Sequence, residues 1–230
     1  MSSVTTLITA LDVDTEAEAI DLAASCGACV WFKVGFQLYT RCGPVIVERL
    51  QSSGKQVFLD LKLHDIPNTV AKAAKAAADL GAGLLTMHAL AGRDAIAAAR
   101  EALEGTDTRL LAVTVLTSHT DATLRDELGI PESAAIAVPR LAKMAVEAGA
   151  HGVVCSPLEI VSVREAVGPD ALIVTPGIRP AWAAANDQAR IMTPAQAAEA
   201  GADFIVVGRP ITHHERPAEA VGLILGELAQ

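Results

Sequence analysis

Eight short apolar runs, separated by alanine-rich segments dotted with charge, limit the fold of this chain more than any other feature. The runs are Thr5–Leu11, Val30–Val34, Gln56–Lys62, Leu84–His88, Leu110–Leu116, Gly152–Cys155, Ala171–Thr175 and Phe204–Val207. Each is short and lies among turn residues, which predicts strands. The stretches Thr15–Ser25, Pro44–Ser52, Asn68–Leu80, Asp94–Leu103, Ala134–Ala148, Pro157–Val167, Pro194–Ala200 and Pro217–Leu228 predict the helices between them. Strands alternating with helices imply βαβ units and a parallel sheet.

A weak internal repeat runs through the pattern. Gly27-Ala28, Gly81-Ala82, Gly149-Ala150 and Gly201-Ala202 each end a helix and precede a strand, at spacings of 54, 68 and 52 residues, about two βα units each. A length of 230 residues is typical of one α/β barrel, so the expectation is a single (β/α)₈ TIM-barrel domain spanning residues 1–230. An open doubly wound sheet is the alternative. It would usually carry a glycine-rich loop after its first strand, and Leu11-Asp12-Val13-Asp14 has none. Two long connections, Thr117–Ala134 with a short helix around Leu124–Leu128 and Gly177–Thr193, follow strands 5 and 7. Both lie where barrel enzymes build their active sites, and long ordered loops there often act as lids.

The third strand ends in charge. Residues alternate faces along a strand, so Val57, Leu59 and Leu61 meet the helices while Phe58, Asp60 and Lys62 face the barrel axis. Two opposite charges on the inward face are expensive to bury, and a buried ion pair is weak evidence for stability, so this pair points to chemistry. Asp12 ends strand 1 and Lys33 lies near the end of strand 2, bringing Asp12, Lys33, Asp60 and Lys62 to one mouth. Lys62, held between carboxylates, suits a general acid that delivers a proton to a carbanion. By spacing alone Asp65 reads equally well as a helix N-cap or first-turn acid and as a catalytic group. Trp31, Phe32 and Phe36 read as core, His88 as mouth or buried hydrogen-bond partner, and His213-His214 as a surface helix start.

The net charge of −9 and the absence of a basic run exclude a general nucleic-acid binder. An anionic ligand must therefore be held by a few placed cations. Arg179 and Arg209 follow strands 7 and 8, where barrels commonly hold phosphate, and Gly208 permits close backbone approach. Cys26, Cys29, Cys42 and Cys155 have no metal-ligand spacing, and Gly27-Ala28 reads as a helix stop rather than part of a redox motif, so reduced thiols are expected. Met1-Ser2-Ser3 leads directly into an apolar strand without a basic region, and no stretch approaches a charge-free membrane span. A soluble, cytoplasmic protein is expected.

Ala10-Leu11-Asp12, Lys33-Val34-Gly35, Asp60-Leu61-Lys62-Leu63-His64-Asp65-Ile66-Pro67-Asn68-Thr69, Leu116-Thr117-Ser118, Thr175-Pro176-Gly177-Ile178-Arg179, Asp187-Gln188 and Val207-Gly208-Arg209-Pro210 occur in that order. Together they resemble the orotidine 5′-monophosphate decarboxylase family nearly end to end. A sister group of sugar-phosphate decarboxylases and aldolases shares only the Asp-x-Lys-x-x-Asp portion.

The resemblance implies decarboxylation of orotidine 5′-monophosphate to uridine 5′-monophosphate without cofactor or metal, with Lys62 as proton donor. It implies that Asp60 positions Lys62 and faces the departing carboxylate, that Lys33 binds ribose and orients Asp60, and that Asp12 holds ribose hydroxyls. Thr117 or Ser118 would meet the pyrimidine edge. Arg209 and Gln188 would grip the phosphate, with Arg179 at the edge of that site. It also implies a homodimer in which Asp65 and Thr69 enter the partner's site.

Overall fold

The computed structural model describes residues 5–183 and 192–229. Eight parallel strands close into a barrel in sequence order, with β1 also pairing β8. They are β1 (Thr6–Ala10), β2 (Trp31–Gly35), β3 (Gln56–Leu63), β4 (Leu84–His88), β5 (Arg109–Val113), β6 (Gly152–Val154), β7 (Leu172–Thr175) and β8 (Phe204–Val207). The helices are α1 (Glu16–Ser25), α2 (Phe36–Cys42), α3 (Val45–Ser52), α4 (Pro67–Asp79), α5 (Arg93–Ala102), α6 (Ala134–Glu147), α7 (Ile160–Val167), α8 (Pro194–Glu199), α9 (Arg209–Thr212) and α10 (Pro217–Leu228). The closed barrel replaces the open-sheet alternative.

Two apolar clusters show why the chain closes. Ile8, Ala10, Phe58, Leu84, Leu111, Val174 and Val206 fill the barrel axis. Val57 and Leu59 belong instead to the larger cluster between strands and helices. The period-2 split read from β3 therefore holds as far as Asp60. The four glycines of the internal repeat all take left-handed backbone, with φ of 56°, 79°, 107° and 99°. Each lies just past a helix, where a left-handed residue lets the chain turn back toward the next strand.

Three differences from the sequence pattern stand out. The ladder of β5 stops at Val113, although the apolar run continues to Leu116. Val115, Leu116 and Thr117 line a cavity, so their apolar character belongs to a cavity wall rather than to a strand. The short helix in the following connection is a single π-helical turn at Thr123–Glu127. The helices α2 and α9 escaped the sequence pattern because they have only seven and four residues.

Among the described residues no helix is long and apolar enough to cross a membrane. Cys26, Cys29, Cys42 and Cys155 are free thiols. Burial, then the neighbouring Cys29, pushes Cys26 up to about 11. Burial, then Glu159, pushes Cys155 up to about 12. Both remain protonated and unreactive near neutrality.

Candidate active site

The C-terminal end of the barrel gathers the charges that the sequence placed on neighbouring strands. The Lys62 Nζ donates to Asp60 Oδ2 at 2.8 Å, and the Lys33 Nζ lies 3.9 Å from that same oxygen. The Lys33 Nζ also donates to Asp12 Oδ1 at 2.9 Å. Two ammonium groups thus alternate with two carboxylates. Asp60 is 9% exposed, so solvent screens its contacts weakly. At about 4 Å and an effective dielectric near 20, a unit-charge pair is worth roughly 4 kcal/mol, enough to hold the ammonium groups on Asp60.

A local irregularity aims Lys62. Between β3 and β4 the register pairs Leu59 with Leu85 and Leu63 with Met87. Four steps along β3 thus match two along β4, and the two extra residues form a bulge. Lys62 has φ 47°, the one positive φ outside glycine among the described residues. A left-handed backbone at a side chain bearing a Cβ is strained, and such strain gathers at functional sites. The hydroxyl of Thr86 accepts the Lys62 backbone N–H at 2.9 Å and donates to Asp60 Oδ1 at 2.9 Å. Sequence reasoning passed over Thr86. Its signal was a polar residue on the inward face of an apolar strand.

Below this charge cluster lies a cavity of about 210 Å³, walled by Lys33, Phe58, Asp60, Lys62, Thr117 and Cys155 together with apolar side chains such as Val154 and Val206. The volume equals about seven waters at roughly 30 Å³ each, room for a single heterocyclic ring. Thr117 is on its wall, while Ser118 is exposed and lies off it. A second cavity, of about 340 Å³, sits at the ends of β7 and β8 and is lined by Arg179, Trp182, Arg209, Pro210, His213 and His214. Two guanidinium groups there form a cationic end, and His213 and His214 face this cavity, a placement the sequence did not signal. Gly208 precedes it, and a Cβ there would lie 3.7 Å from the Ala10 Cβ and 3.9 Å from Asp12 Oδ2, pointing into the mouth. Gln188 lies outside the described residues.

Asp65 and Thr69 are exposed, and neither lines the cavity beneath this cluster. Asp65 Oδ1 accepts the Ile66 N–H at 2.7 Å, and Ile66 rather than Asp65 is the N-cap of α4. Phe36 is not core: it is 56% exposed and its ring lies 5.8 Å from the Lys62 Nζ. His88 is half-buried and stacks obliquely on His64 at 5.6 Å. Burial first, then His64 and Lys62, lowers its pKa below the usual histidine value and keeps it neutral. A larger cavity of about 1220 Å³ opens at the other end of the barrel, around Trp31, Lys55, Arg109 and His151. The charged cluster stands at the end where barrel enzymes carry out chemistry, and size alone does not move the site.

Comparison with known proteins places these features in a lineage. Residues 5–224 match the model of the Orotidine 5′-phosphate decarboxylase / HUMPS family. An orotidine 5′-phosphate decarboxylase of Saccharophagus degradans is 49% identical over 227 residues, covering 97% of this chain and 95% of that one. One from Heliobacterium modesticaldum is 50% identical over 232 residues, covering 97% and 96%. The crystal structure of orotidine 5′-phosphate decarboxylase from Lactobacillus acidophilus superposes with a TM-score of 0.89 at 42% identity, covering 98% of this chain and 100% of that one.

Proposed function

The chain belongs to the orotidine 5′-phosphate decarboxylase / HUMPS family, and from that premise we propose that it converts orotidine 5′-monophosphate to uridine 5′-monophosphate and carbon dioxide without a cofactor. The observation that carries the reading is the Lys62 ammonium, held 2.8 Å from Asp60 on the wall of a ring-sized cavity. The whole chain, residues 1–230, acts as one catalytic barrel domain in the cytoplasm.

The substrate's pyrimidine occupies the 210 Å³ cavity and its phosphate the cationic cavity at Arg179 and Arg209. Gln188 and the Gly208 backbone complete the phosphate grip. The bond from pyrimidine carbon 6 to its carboxylate breaks, and the electron pair stays on carbon 6. Lys62 stabilises that developing charge and then gives it a proton, leaving a neutral amine that solvent recharges. Asp60 fixes Lys62 and faces the departing carboxylate. Lys33 bridges Asp60 and Asp12 beside the ribose, whose hydroxyls Asp12 holds. Thr117, on the cavity wall, reads the pyrimidine edge, with Ser118 beside it. Phosphate binding far from the reacting carbon is spent on organising the site, as uniform binding alone would not speed the reaction. Electrostatics and positioning must then supply a barrier reduction toward the top of the roughly 8–23 kcal/mol that enzymes provide.

The active form is a homodimer in which Asp65 and Thr69 enter the partner's site. Their exposure, and their absence from the wall of their own protomer's cavity, support that reading.

The test is the loss of orotidylate absorbance with chelator present, alongside hexulose phosphates as rival substrates. Turnover of orotidylate alone is expected. In Lys62→Ala, turnover should vanish while product-nucleotide binding remains. Near-normal turnover in that variant would remove Lys62 as proton donor, and turnover only of hexulose phosphates would replace the reaction.

A further inference from the structure

The bulge in β3 leaves Asp60, Leu61 and Lys62 opposite a stretch of β4 that is two residues shorter. Regular pairing cannot serve the backbone there, and a buried N–H without an acceptor would be costly. The Thr86 side chain takes over. It has one hydroxyl proton, and that proton goes to Asp60 Oδ1, since a carboxylate oxygen only accepts. Its oxygen is then the acceptor for the Lys62 N–H.

One hydroxyl therefore ties the carboxylate that holds the Lys62 ammonium to the backbone from which the Lys62 side chain starts. With Oδ1 occupied by Thr86, Oδ2 is left to the two ammonium groups at 2.8 and 3.9 Å. Thr86 is itself 0% exposed and cannot touch a ligand in the cavity.

We infer that Thr86 is a positioning residue for decarboxylation: its buried hydroxyl locks both the rotation of the Asp60 carboxylate and the left-handed turn at Lys62, and thereby sets where the Lys62 ammonium stands. This inference rests on the proposed reaction. A hydroxyl acting only as structural glue would change stability, and substrate affinity with it. A positioning hydroxyl instead changes kcat and spares the phosphate and ribose contacts.

The experiment compares wild type, Thr86→Val, Thr86→Ala and Thr86→Ser for orotidylate turnover, product-nucleotide affinity and melting temperature. Wild-type turnover is read first, and its absence defeats the proposed reaction without bearing on Thr86. Given wild-type turnover, Thr86→Val should lose about 10- to 100-fold in kcat, the range set by losing a hydrogen bond to a charged group. Product affinity should stay within about threefold, and Thr86→Ser should recover most of the rate. Should the valine variant not fold, Thr86→Ala is judged by the same criteria. A kcat within twofold of wild type in the variant lacking the hydroxyl overturns the inference. So does a serine variant as slow as the alanine one, or a rate loss matched by an equal loss of product affinity.

Discussion

Lys62 carries its ammonium on a backbone at φ 47°, a conformation that costs an ordinary residue about 1–2 kcal/mol and glycine very little. Lys62→Ala and Lys62→Gly both delete the ammonium, so their difference isolates the backbone. Lys62→Gly should be the more stable by about 1 kcal/mol in denaturant titration, against the usual ranking of alanine over glycine. Equal stabilities would mean that the turn at Lys62 is not strained. Gly35 offers a complementary case: a Cβ there would stand 2.9 Å from the Lys33 Nζ. Gly35→Ala should push that ammonium aside, lowering kcat about 10- to 100-fold with the melting temperature nearly unchanged, because the displaced atom is the end of a flexible side chain. An unaltered rate would show that Lys33 has room to spare. Strand periodicity made the inward pair Asp60 and Lys62 legible in the sequence. The parts set by another residue's reach were not legible. Gly35 matters because of where Lys33 ends, which leaves no periodic trace; Thr86 shows as a polar residue on an inward face, but the bulge that gives it its partners does not show. Asp65 stayed ambiguous by spacing, and its catalytic reading rests on family resemblance.

Among the elements, strand and helix placement was legible nearly throughout, since apolar runs and glycine stops mark it. It failed at β5, where a cavity wall imitates a strand, and at α2 and α9, which are too short to show a period. The stability of the lower barrel depends on a contact that no period displays. From α7, Arg164 donates to the carbonyls of Gly168, Ala171 and Gly201 at 2.9, 2.6 and 3.0 Å and to Asp203 Oδ2 at 2.6 Å. It thereby ties α7 to the entries of β7 and β8. Arg164→Ala should cost about 2–4 kcal/mol in denaturant unfolding while leaving product-nucleotide affinity intact, as it lies far from the site. Between β5 and β6, His151 Nδ1 accepts the Leu110 N–H at 2.9 Å. Burial, then Arg100 and Arg109, lowers its pKa from 6.5 to about 4. The unfolded chain takes up a proton below pH 6.5 that the folded chain refuses until about 4, so acid drains stability across that window. Melting curves of wild type should fall more steeply there than those of His151→Gln, and parallel curves would contradict this.

For the whole molecule, the exposed Asp65 beside Ile66, itself 66% exposed, frames the dimer test. In a two-fold dimer each protomer would lend its Asp65 to the other's Lys62. Lys62→Ala and Asp65→Ala chains should each be inactive alone. Refolded together in equal amounts, they should regain about one quarter of wild-type activity, because half the dimers are mixed and each holds one intact site. No recovery would return Asp65 to its own protomer. The β3 bulge also has a meaning for protein engineering. The placement of Lys62 is encoded as extra strand length answered by a hydroxyl on the next strand. Copying Asp60 and Lys62 onto the regular strand of another barrel would therefore transplant two charges without their aim. A graft that also carries the two surplus residues and the facing threonine is the smallest unit expected to move intact.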